Sequence, residues 1–100
     1  MNGLSAQEKG ALQSIFAQVP NIEKAILFGS RAMGLHRYNS DVDIALYGED
    51  ITTKDILRLH ALVEETTMPY MFDFVVPGED NLVLIEEIKQ HGRVFYEKND

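Results

Sequence analysis

The sequence predicts an α/β fold, a small mixed β-sheet flanked by helices, and three observations predict it. Short apolar runs that stop at or beside glycine (22–28, 42–47 and 70–76) alternate with longer stretches whose apolar residues recur at helical spacing. Gly or Pro punctuates nearly every junction between them. Length bounds the rest: 100 residues make one domain, 1–100, and 45% apolar with 25% charged residues is a globular mixture rather than a disordered or fibrous one.

Taken in order, Ser5 followed by Glu8 has the form of a capping box. Leu12, Ile15, Phe16 and Val19 continue at helical spacing to Pro20-Asn21, which predicts an opening helix of about 13 residues. Residues 22–28 are short, apolar and stopped by Gly29, as a buried strand is. Ser30 can cap one or two helical turns that Gly34 ends. Residues 35–40 read as loop and 42–47 as a second strand closed by Gly48. Thr52 or Thr53 can cap the next helix, whose inner face uses Ile56, Leu59 and Val63 before Met68-Pro69 ends it. A third strand, 70–76, stops at Pro77-Gly78. Residues 81–91 carry Leu82, Ile85 and Ile88 on one side, place Lys89 and His91 in the last turn, and finish at Gly92. Residues 93–96 add a last edge strand. The chain holds no internal repeat, low-complexity tract or linker.

Charge and composition remove several functions. A formal charge of −7 argues against direct DNA or RNA binding through the phosphate backbone, which depends on Lys and Arg displacing counterions. A basic partner or a cation-chelated nucleotide fits better. With no cysteine, neither a disulfide framework nor a thiolate zinc site is available, and His36, His60 and His91 have no ligand spacing. The N-terminus lacks the apolar stretch of a signal peptide, and no segment approaches the roughly 18 consecutive apolar residues that span a bilayer. The expectation is a cytoplasmic chain without membrane association.

Ten residues separate Gly29-Ser30, which ends one apolar run, from Asp41-Val42-Asp43, which starts another. Backbone N–H groups at a glycine turn can hold phosphate, and Ser30 adds a hydroxyl. The turn is neither a P-loop nor a dinucleotide fingerprint, because Gly29 to Gly34 lacks both frames. Carboxylates at i and i+2 of a strand share a face, about 6 to 7 Å apart along the chain, so Asp41 and Asp43 could bind one divalent cation or an adjacent pair. Asp73 lies in an otherwise apolar run, where a lone carboxylate is costly unless paired. Strands two and three are expected to lie side by side, because only that arrangement brings Asp73 to Asp41 and Asp43. Like charges about 4 Å apart repel by roughly 4 kcal/mol at an effective dielectric near 20, so such a triad needs a compensating cation. Oxygen-only ligands favour Mg²⁺, two ions in two-metal chemistry, with Mn²⁺ as a substitute. Arg31 could touch the phosphates or pair with a surface acid; His36 and Arg37 could reach a triphosphate or be solvated loop charges. Met33, Leu35, Tyr38, Met68 and Tyr70 could form an apolar rim for a protein acceptor, or pack beneath the loops.

Gly29-Ser30, the ten-residue gap, Asp41-Val42-Asp43 and then Asp73 in a later strand resemble the DNA polymerase beta-like nucleotidyltransferase superfamily. More closely they resemble the minimal nucleotidyltransferases, antitoxins of HEPN/MNT toxin-antitoxin modules, which lack the helical substrate domain of larger relatives. The five positions show no departure from the pattern. The resemblance implies transfer of AMP from ATP to a HEPN-family toxin, commonly at a tyrosine hydroxyl, silencing its RNase activity in a hetero-oligomer. Carried onto this chain, Gly29 and Ser30 would hold the nucleotide phosphates, with Arg31 beside them. Asp41, Asp43 and Asp73 would form the catalytic metal site, and Asp73 would help deprotonate the acceptor. Two other readings stay open: an antitoxin that masks its partner without catalysis, and the catalytic subunit of a small-molecule, antibiotic-modifying nucleotidyltransferase.

Overall fold

The computed structural model describes residues 3–37 and 40–98. Among them the order is α1 (Ala6–Ala17), β1 (Lys24–Phe28), α2 (Gly29–Ala32), β2 (Val42–Tyr47), α3 (Thr53–Glu64), β3 (Phe72–Val75), α4 (Leu82–His91) and β4 (Arg93–Glu97). The strands form one mixed sheet, β3-β2-β1-β4. β1 pairs antiparallel with β2 and β4, while β3 runs parallel to β2 along the far edge.

Side chains alternate between the two faces of each strand. Ala25, Leu27, Val42, Ile44, Leu46 and Phe74 bury one face against Leu12, Ile15 and Phe16 of α1 and Leu59 and Val63 of α3. Phe16 meets Phe74 edge-on at 6.2 Å between ring centroids. Such a pair adds about 0.5–1.5 kcal/mol beyond its area. Phe28 and Ala45 point the other way and meet Leu84 and Ile88 of α4. The sheet therefore lies between α1 with α3 on one side and α4 on the other.

The starts of α1 and α3 lie where the sequence predicts. Ser5 and Glu8 close a reciprocal capping box on α1, and Thr52 does the same with Asp55 on α3. Differences have local causes. β1 begins at Lys24 and β3 at Phe72, because Ile22 and Tyr70 pack on the core from outside the strand pairing. Ser30 does not cap α2: the helix begins at Gly29, the N-cap is Phe28, and no side chain supplies the bond. Leu82, expected to face inward, is 72% exposed, since α4 turns its Leu84–Ile88 stripe to the sheet instead. Gly92 ends α4 without adopting a left-handed conformation (φ −63°). It is needed there for space, because a Cβ would fall 2.5 Å from the Ile88 carbonyl oxygen and 2.8 Å from Ile26 Cγ2. Among the described residues no helix is long and apolar enough to cross a membrane.

Two glycine substitutions test this placement in opposite directions. Gly10 lies inside α1, and a Cβ added there would have nothing within 4 Å, so Gly10→Ala should raise stability by about 0.5–1 kcal/mol. Gly92→Ala should lower it by about 1–3 kcal/mol, as overpacking does. Urea-unfolding midpoints read both.

Candidate active site

The register of the sheet assembles the site. Phe28 pairs with Asp43 across β1 and β2, so the chain turns at Gly29 directly beside Asp43. Asp43 in turn pairs with Asp73 across the parallel β2–β3 ladder. Paired residues on neighbouring strands project from the same face, with strands about 4.8 Å apart. Gly29 adopts φ +76°, and a Cβ on it would strike Asp43 Oδ2. Glycine is thus required twice, for the backbone angle and for the approach of a carboxylate to its bare Cα.

Asp43 is the electrostatic centre. Its carboxyl is pushed above the ordinary 3.8 first by burial, then by the charges of Asp73, Asp41 and Glu87. Glu87 comes from α4, and its Oε2 accepts a hydrogen bond from the Gly29 N–H at 3.1 Å. Sequence motifs do not single out this residue. The signal lies in the helical spacing, since Leu84, Glu87 and Ile88 stand at i, i+3 and i+4 and form one stripe.

Asp73 is exposed, because β3 is an edge strand. The burial cost expected for a carboxylate among apolar residues therefore does not arise, and its register with Asp43 is what ties it to the site. Asp41 is exposed just ahead of β2. No three His, Cys, Asp or Glu side chains among the described residues stand close enough together to hold a metal ion. Asp43 and Asp73 share a face of the sheet, and Asp41 does not close with them on a common point. Their donor set is oxygen only and lacks a neutralising Lys or Arg among the described ion pairs, which suits a hard divalent cation such as Mg²⁺.

Arg31 is held inside the fold. It is 1% exposed, its Nε and Nη2 donate to the Ser40 carbonyl oxygen at 3.2 and 2.8 Å, and its guanidinium lies 4.7 Å from the centroid of the Tyr70 ring. These contacts tie α2 to the residue before Asp41 and to the segment entering β3. Of the predicted apolar rim, Met33 and Leu35 are exposed, whereas Met68 and Tyr70 pack on the core. Tyr38 lies outside the described residues. Met71, next to β3, is a further exposed member that the sequence pattern does not single out. A cavity of about 320 Å³ lies away from the carboxylates, between α1, α2 and β4, lined in part by Lys9, Met33 and Arg93.

The family model described as polymerase beta nucleotidyltransferase matches residues 11–100. Among solved structures, the chain is similar to a toxin-antitoxin crystallised with AMP-PNP, with a TM-score of 0.73 and 20% identity over 91% of this chain and 74% of that one. It is also similar to an MntA-HpeT toxin-antitoxin mutant with two aspartate-to-glutamate substitutions, with a TM-score of 0.71 and 19% identity over the same shares, 91% and 74%. At these identities the likeness is one of fold. A stretch of 68 residues is 32% identical to large ribosomal subunit protein bL25 of Corynebacterium urealyticum, covering 64% of this chain. The chain spans about a third (32%) of the length of that relative.

Two measurements follow from the site. A carboxyl whose pKa rises on folding holds its proton more tightly in the folded chain, so its ionisation removes stability as pH climbs from 3.8 through the raised folded value. Asp43→Asn should therefore melt at a higher temperature than the parent at pH 7, with the gap shrinking to nothing below 3.8. Arg31→Gln should lose about 2–3 kcal/mol in chemical denaturation, the worth of charge-assisted hydrogen bonds left unmade.

Proposed function

The chain belongs to the polymerase beta nucleotidyltransferase family, and on that premise we propose that it transfers AMP from ATP to a hydroxyl of a partner protein, a HEPN-family toxin. The observation that carries this reading is the lateral pairing of Asp43 with Asp73 beside the Gly29 turn. It sets two acids from neighbouring strands against a backbone able to approach a phosphate closely. The toxin-antitoxin neighbours of the fold support the choice of partner.

In this reading Gly29 and Ser30 receive the phosphates of ATP, the bare Cα of Gly29 allowing contact with its backbone. Asp41, Asp43 and Asp73 would hold Mg²⁺. A divalent cation bound there supplies the charge neutralisation and Lewis acidity that in-line displacement at phosphorus needs. Asp73 is exposed at the sheet edge, where an incoming hydroxyl can deliver its proton to the carboxylate. The acceptor oxygen then bonds to the α-phosphorus, the bond to the bridging oxygen breaks, and pyrophosphate leaves. Arg31 contributes by holding the Ser40 carbonyl, which fixes the approach to Asp41. Met33, Leu35 and Met71 are exposed apolar side chains that the acceptor could cover.

Incubating the protein with ATP labelled in its α-phosphate, Mg²⁺ and the product of the adjacent reading frame tests the proposal. Label should appear on the partner protein. Neutralisation of the partner without label would mean masking instead, and label on an antibiotic would mean small-molecule transfer. Asp41→Asn and Asp43→Asn should each reduce transfer by about 100-fold or more while circular dichroism stays unchanged.

A further inference from the structure

Glu87 occupies a position that the proposed chemistry does not use. Leu84 and Ile88 hold α4 against Phe28 and Ala45, and this docking brings Glu87 to the Gly29 turn, where its Oε2 takes the backbone N–H at 3.1 Å. No Lys or Arg pairs with it among the described residues. Its charge also reaches Asp43, which already carries the influence of Asp41 and Asp73. A carboxylate thus sits, uncompensated by any ion pair among the described residues, on a donor that an incoming phosphate needs.

We infer that Glu87 is an internal competitor for nucleotide: its carboxylate holds the Gly29 N–H in the free protein, must give up that donor when phosphate arrives, and thereby weakens nucleotide binding. The inference rests on the nucleotide reading of the site proposed above. Any anion approaching Gly29 meets a negative charge within hydrogen-bond distance of its own binding atom. Repulsion at that range is substantial even at protein-like dielectric. Divalent cation accompanying the nucleotide offsets part of it, so the opposition of Glu87 is greatest for nucleotide without metal. The same contact gives α4 a hold on the site, because displacing the carboxylate moves a side chain anchored between Leu84 and Ile88.

Glu87→Gln isolates the effect, since the amide keeps an oxygen to accept from the Gly29 N–H, nearly preserves volume and removes only the charge. Calorimetric titration with ATP should show tighter binding by about fivefold or more, with a larger gain in EDTA than in excess Mg²⁺. Glu86→Gln serves as control, because Glu86 is exposed, accepts from Gln90 and makes the same change in net charge away from Gly29. It should bind as the parent does. Unchanged affinity in Glu87→Gln would reduce the residue to a structural latch, and weaker binding in Mg²⁺ would make it part of the cation site; either result overturns the inference. Should parent and Glu87→Gln both fail to bind ATP with or without Mg²⁺, the nucleotide reading itself falls, an outcome separate from binding that the substitution leaves unaltered.

Discussion

The meeting of the Gly29 backbone with the Asp43 carboxylate is the contact on which the rest of the site depends. Gly29 turns at positive φ where β1 ends, and its missing side chain leaves the space that Asp43 Oδ2 fills. Any other residue there would push Asp43 away from the turn, or the turn away from the sheet. Because Phe28 and Asp43 are paired across the ladder, neither partner can move without breaking strand pairing. Sheet register therefore fixes the distance between a backbone fit for phosphate and an acid fit for a cation.

That arrangement sets stability against chemistry. Burial and three neighbouring acids all oppose ionisation of Asp43, and the described residues provide no cation to relieve it. A fold selected only for stability would place an amide or an apolar residue at this point. The surrounding structure carries the strain because it is well anchored elsewhere. Two reciprocal capping boxes fix α1 and α3, and the larger apolar cluster lies on the opposite face of the sheet from the acids. Arg31 adds a tie beside the site through a backbone carbonyl and an aromatic face.

Much of this is legible from residue order alone. The Ser5–Glu8 capping box, the limits of β2 and the inner residues of α3 follow from spacing and cap chemistry, which act over four or five residues. Apolar patterning makes the strands too long, since Ile22 and Tyr70 are apolar and pack on the core without being paired. It also turns Leu82 inward, because Leu82, Ile85 and Ile88 share a helical face; which face meets the sheet depends on the docking of α4 as a whole. Arg31 follows a glycine-serine turn, and nothing local distinguishes an arginine aimed at solvent from one drawn inward by Ser40 and Tyr70.

By itself the sequence determined the local elements and the set of residues from which a nucleotide site could be built, since turns, caps and alternation are short-range physics. Tertiary structure alone decided which of those residues share a place. It paired Asp43 with Asp73 through the parallel register, left Asp73 exposed at an edge, and brought Glu87 from a helix 58 positions away in the chain to the Gly29 N–H. Contacts of that kind are fixed by the order of strands and the docking of helices, which depend on burial summed over the whole core.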